Sequence, residues 1–212
     1  MSRIDQITAA LPPALALADW RRRIAALYAD LRGMDDPAKA HAHWLAERGR
    51  LFSGHPMSPL PEAARAGFAG IAAFAYDPAL RFHVPVEPAE GAGSELDLGE
   101  DGTMRMAPAA RTAGLAPVLG GELTLYWIGG YGGGLFLPFR DATCGTESYG
   151  GGRYLIDAIK GADPGTDRHG RLILDFNFAY NPSCALNERF ACPLPPAGNT
   201  LPAAVRGGER CP

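Results

Sequence analysis

"ELTLYWIGGYGGGLFLPF", Glu122 to Phe139, decides the fold. Two runs of β-forming residues, "ELTLYWI" and "GLFLPF", flank a glycine cluster that a helix would not tolerate, so the chain turns back on itself as a hairpin. The many glycines leave the register of that hairpin open. Outward from it, the texture from about Phe68 repeats: "GIAAFAY", "LRFHVPV", "SELDL", "GTMRMA", then "GRYLIDAI" and "RLILDFNF". Turns such as "GEDGT" separate these runs, and no helical pattern of about 10–15 residues falls between them, which argues against parallel βαβ units. Successive antiparallel strands remove their exposed edges by closing or stacking, so the expectation is a mainly β domain, an antiparallel β-barrel or sandwich-like meander.

Helices precede the strands. Trp20, Ile24, Leu27, Tyr28 and Leu31 recur at helical spacing and mark one apolar stripe. In the next helix Asp36 is a natural N-cap, and Pro37 takes the first helical position, where a missing N–H costs nothing. Gly54 and Pro56 end it, and "MSPLPEAARAGF" adds a turn and a further short helix. The predicted organisation is a helical region over 1–66 followed by an antiparallel β domain over 67–212 with a long Pro-rich C-terminal segment, an α+β chain.

A net charge of −3 excludes nucleic acid as the main partner, because neutralising phosphates needs a basic surface. A hydrophobic fraction of 47% and a charged fraction of 20% are those of a chain that buries a full core. No run reaches the roughly 18 apolar residues of a membrane span. The opening "MSRIDQITAALPPALALADW" lacks a signal peptide's layout, since Asp5 and Pro12-Pro13 interrupt it. The expected location is cytoplasmic, where Cys144, Cys184, Cys192 and Cys211 read as thiols, although Cys184 and Cys192 would pair in an oxidising compartment. No metal is expected: Cys184 and Cys192 lie eight residues apart, wider than common zinc spacing, and His41 and His43 at i, i+2 share no helix face.

Two polar passages carry the candidate site. Treating "RLILDFNF" as one strand, alternation sets Leu172, Leu174, Phe176 and Phe178 on one face and Arg171, Ile173, Asp175 and Asn177 on the other. Asp175 and Asn177 then project together where the strand runs into Tyr180, Asn181 and Cys184. In "PFRDATCGTESYGGGRYL", Pro138 to Leu155, glycines permit turns that aim backbone N–H groups at an anion. Arg140 and Arg153 would supply counter-charge, with Thr143, Thr146 and Tyr149 adding hydroxyls. The passage lacks the Gly-Lys-Ser/Thr ending of a phosphate-binding loop. Set against these readings, the same polar groups would serve equally to satisfy backbone atoms of loops.

The stretches "SPLPEAARAGFAGIAAFAYD", "FLPFRDATCGTESYGGGRYLIDA", "LDFNFAYNPSCALNERFACPLPPAGNTL" and the closing "RGGE" resemble a bacterial and archaeal family, domain of unknown function 1684. The resemblance covers roughly Trp44 to Glu209 and implies no particular activity or cofactor. It carries over Asp141, Thr143, Thr146, Tyr149, Gly152 and Arg153 in the first motif. In the second it carries over Asp175, Asn177, Tyr180, Asn181, Cys184 and Cys192. Cys144 and Ser148 depart from the pattern, the latter keeping the hydroxyl.

The reading that follows is a binder of a small anionic molecule in a pocket between the two motifs. Arg140, Asp141, Thr143, Thr146, Tyr149, Arg153, Asn177, Tyr180 and Asn181 would hold the ligand. Should chemistry occur, Asp175 is the candidate acid/base and Cys184 the candidate nucleophile. Two other classes compete: a non-catalytic structural or interaction module, and a flavin-binding split-barrel enzyme. A homodimer is compatible with all three.

Overall fold

The computed structural model describes residues 11–99 and 102–212. The first ten of the residues read above for a signal peptide and the centre of "GEDGT" lie outside the described residues. Helix α1 spans Pro13–Gly33 and α2 spans Pro37–Gly54. The Asp36 carboxylate accepts hydrogen bonds from Ala38 N (3.0 Å) and Lys39 N (3.2 Å), satisfying two of the donors that open a helix. A short α3, Glu62–Arg65, follows.

Eight strands come next: β1 Arg81–Val84, β2 Val86–Pro88, β3 Ser94–Asp97, β4 Thr103–Thr112, β5 Thr124–Ile128, β6 Gly134–Phe139, β7 Arg153–Asp157 and β8 Leu172–Asp175. A one-turn helix α4, Ala116–Leu119, connects β4 to β5. The larger sheet is antiparallel with order β2-β4-β5-β6-β7, and β3 also pairs with β4. The deciding hairpin is β5–β6, with Tyr126 opposite Phe136 and Ile128 opposite Gly134. The register shifts twice, at Pro108/Ala110 and at Leu137/Pro138. Proline has no N–H to offer the ladder, so the pairing skips there and the strands bend.

The sheet does not close into a barrel. β1 and β8 form a separate two-stranded ribbon, Arg81 opposite Asp175 and Val84 opposite Leu172. The two faces of the large sheet bury different partners. Leu125, Leu137, Phe139 and Leu155 pack with Val84, Leu172, Leu174 and Phe176 of the ribbon and its continuation. Tyr126, Phe136 and Tyr154 point the other way and pack with Ile24, Leu27, Trp44 and Leu51 of the helices. Burying each such large apolar side chain contributes about 1.5–3 kcal/mol, which fixes the sheet between a helical layer and a ribbon layer.

Two predicted strands are corrected. "GIAAFAY" forms no strand; it runs extended beside the C-terminus, with one bridge, Ala73 to Glu209. "RLILDFNF" is a strand only to Asp175, and Phe176–Phe178 is a turn of 3-10 helix. Asp175 stops the strand by folding its carboxylate back onto Asn177 N (3.1 Å), a local bond that competes with the ladder. Asp175 and Asn177 are therefore neighbours through this cap, with Asn177 Nδ2 donating to Asp175 Oδ1 at 2.8 Å, and alternation ends with them.

Candidate functional site

The first motif builds a closed polar network. Arg153 opens β7 and is fully buried. Its Nη2 donates to Asp141 Oδ2 (2.8 Å) and to the Val205 carbonyl (2.8 Å). Nη1 donates to the carbonyls of Gly207 and Glu209. Phe139 and Phe74 cover the guanidinium, their ring centroids 5.4 and 5.9 Å away. Asp141 Oδ1 takes up Thr143 N (2.8 Å), Thr143 Oγ1 (2.6 Å) and Val205 N (3.1 Å). Thr143 Oγ1 lies 2.7 Å from Ser148 Oγ, and Thr146 Oγ1 donates to the Thr143 carbonyl at 3.0 Å. The backbone of Arg140 pairs with the tail on both sides, Arg140 N to Asn199 O and Leu201 N to Arg140 O, each 2.9 Å. Only a residue without a side chain fits at Gly208, where φ is +76° and a Cβ would collide with the Ala179 carbonyl. The "RGGE" passage is thus the strap that Arg153 holds.

These geometries separate the predicted site residues from one another. Both Nη groups of Arg153 and both carboxylate oxygens of Asp141 are engaged within the protein, and Arg153 is fully buried with its Nε donor unpartnered among the described residues. Arg153 does not line the cleft that Asp175 borders: it lies over Phe139, whose ring is edge-on to Phe176 at 5.1 Å. Nor does Cys184 meet Asp175. Its sulfur lies 3.8 Å from the Tyr149 hydroxyl, and its N–H donates to Cys192 Sγ at 3.3 Å. Tyr180 Oη reaches Asp157 Oδ2 (3.4 Å), and Asn181 bonds Glu209 and the Arg210 carbonyl. Glu209 in turn pairs with buried Arg48 at 2.6 Å, whose guanidinium sits over the rings of Trp44, Phe52 and Tyr180.

Asp175 belongs to a different setting. Its carboxylate is 1% exposed, accepts Arg81 Nη1 at 3.1 Å and lies 3.5 Å from the Tyr76 hydroxyl. It borders a cleft of about 120 Å³ between α1, the start of α2 and the β1–β8 ribbon. Arg32 and Arg81 also line this cleft, with Tyr28 and Thr166 as further polar groups and Leu31, Met34 and Phe178 as apolar wall. The Tyr28 hydroxyl is buried with no hydrogen-bond partner among the described residues. Burial is the main cause that pushes Tyr28 up to about 12. Tyr76 is also raised to about 12, by burial and then by the charge of Asp175. On α2, burial holds His41 below its ordinary value of 6.5, although Asp175 pulls the other way. His41 Nε2 has no partner among the described residues.

The sequence reading missed Arg32, Arg81, Tyr28 and Tyr76. Tyr28 looked like part of an apolar stripe, and it is one except for its oxygen. Arg81 is the residue that strand pairing places opposite Asp175, a signal that appears only once β1 and β8 are aligned.

The family described as "Protein of unknown function (DUF1684)" matches residues 66–210, and the chain belongs to it. A solution NMR structure of an uncharacterised protein from Haloarcula marismortui is 36% identical, covering 78% of this chain and 89% of that one, with a TM-score of 0.54. No curated protein matches the chain. No described helix is long and apolar enough to cross a membrane.

Proposed function

We propose that this member of the DUF1684 family binds a small anionic molecule in the cleft between α1 and the β1–β8 ribbon. The observation that carries the reading is the convergence of Arg32 and Arg81 on one hollow against a single carboxylate, Asp175, which leaves its charged lining one unit positive. Arg81 keeps a fork of donors beyond the one given to Asp175, so it can bind an anion while the buried carboxylate fixes its orientation. Leu31, Met34 and Phe178 accommodate an apolar portion. A volume of about 120 Å³ suits a ligand near the size of a small carboxylic acid or one ring, and is small for a flavin's ring system. The second motif thereby contributes Asp175, while the first braces the fold around it.

Titration calorimetry with inorganic phosphate, acetate, succinate and benzoate tests this. Saturable binding of at least one anion is expected, weakened by roughly tenfold to a hundredfold in Arg81→Gln, as the loss of one charge-assisted hydrogen bond implies. Binding that survives both Arg81→Gln and Arg32→Gln, or no binding of any of the four, overturns it.

The interaction-module reading draws on one observation. Trp127 is 46% exposed and Tyr131 fully exposed, both on the β5–β6 hairpin. A sedimentation shift that Trp127→Ser/Tyr131→Ser abolishes would favour it.

A further inference from the structure

Outside the cleft, the chain brings two of its four cysteines together. Cys184 lies in the 3-10 turn Ser183–Ala185, and Cys192 lies just before Pro193. The Cys184 N–H donates to Cys192 Sγ at 3.3 Å, so the second sulfur rests against the first residue's backbone. Both ends of the loop between the two cysteines are held. Ala185 N donates to Pro182 O and Leu186 N to Ser183 O at the start. Tyr154 Oη donates to Pro193 O at 2.6 Å at the end. Both sulfurs are on partly exposed residues. Among the described residues no group of three His, Cys, Asp or Glu could hold a metal ion, so the pair has no further ligands with which to build a metal site.

We propose that Cys184 and Cys192 are a reversible oxidation site that closes to a disulfide by exchange with a low-molecular-weight disulfide such as oxidised glutathione. Cys184 loses its proton, and its thiolate attacks the S–S bond of the reagent, giving a mixed disulfide and one thiolate that takes up that proton. Cys192 then gives up its proton, its sulfur displaces the second reagent thiolate, and that group leaves protonated. The protein pair is oxidised by two electrons, and one reagent disulfide is reduced to two thiols. Burial pushes Cys192 up to about 11, so it stays protonated until the mixed disulfide forms beside it, which suits it to the second step. The Tyr149 hydroxyl lies 3.8 Å from Cys184 Sγ, a contact in which either group can donate. Cys144 and Cys211 have other surroundings. Cys144 Sγ accepts from Asp141 N at 3.4 Å, and Cys211 is exposed.

The test equilibrates the full-length protein in oxidised and reduced glutathione mixtures, blocks free thiols by alkylation, and maps peptides by mass spectrometry while circular dichroism follows the fold. The expected product is an intramolecular 184–192 cross-link in folded protein, reversed by reduced glutathione and retained in Cys144→Ser/Cys211→Ser. Closing so short a loop should raise Tm by about 5 °C. In Cys192→Ser the reaction should stop at one glutathione adduct on Cys184. Failure to cross-link at the most oxidising mixture, a cross-link involving Cys144 or Cys211, or a cross-link that forms only as the fold is lost would each overturn the proposal.

Discussion

Arg153 and Arg81 each pair with a buried aspartate, yet they do opposite things. Arg153 is enclosed, and its donors end on Asp141 and on the carbonyls of Val205, Gly207 and Glu209. Arg81 is 32% exposed, meets Asp175 alone and stands on the wall of a cleft. A buried pair whose terminal guanidinium donors end on three strap carbonyls and a carboxylate holds a chain segment in place. A pair with one partner buried and the other facing a hollow keeps donors for something that is not protein. Density of polar residues in a motif therefore does not tell an enclosed arginine from one that borders a cleft, whereas the acceptors of each arginine do.

This contrast can be broken by experiment. Arg153→Met leaves Asp141 and three strap carbonyls without their donor, and should cost about 3–5 kcal/mol, read as a lower denaturant midpoint at unchanged m-value. Arg48→Met, which strands buried Glu209, should cost about 3 kcal/mol, and the Arg48→Met/Glu209→Gln double variant should lose less than the sum of the single changes. Arg81→Gln, by contrast, should cost below about 1 kcal/mol, because its partly exposed pair is screened by water. A loss as large as that of Arg153→Met would show that Arg81 is a brace as well.

The smallest effect concerns pH. Burial lowers His41 and His55 from 6.5, so the unfolded chain binds protons that the folded chain refuses. Stability should therefore fall as pH drops below about 6.5, with a slope of at most roughly 1.4 kcal/mol per pH unit for each histidine. His41→Gln should flatten that slope when urea midpoints are measured between pH 7 and pH 5. An unchanged slope would remove His41 from the account.

Local physics made much of this legible in the sequence. The Asp36 cap, the apolar stripe of α1 and the hairpin around the glycine cluster follow from rules that act within a few residues, and the structure has them. The same locality explains the errors. "GIAAFAY" has the composition of a strand but finds its hydrogen bonds at Gly208 and Arg210, segments far along the chain. In "RLILDFNF" the period-two pattern gave no warning that the Asp175 carboxylate would close on Asn177 N and end the strand.

From residue order alone came the helix starts, the antiparallel strands, the absence of zinc spacing and the two polar passages. Only the tertiary structure decided what each buried charge meets, since Arg153 meets Val205 across 52 positions and Arg48 meets Glu209 across 161. Propensity, capping and alternation are set by neighbours in the chain. The partner of a buried charge is set by which distant segments the core packs together, and no local pattern records it.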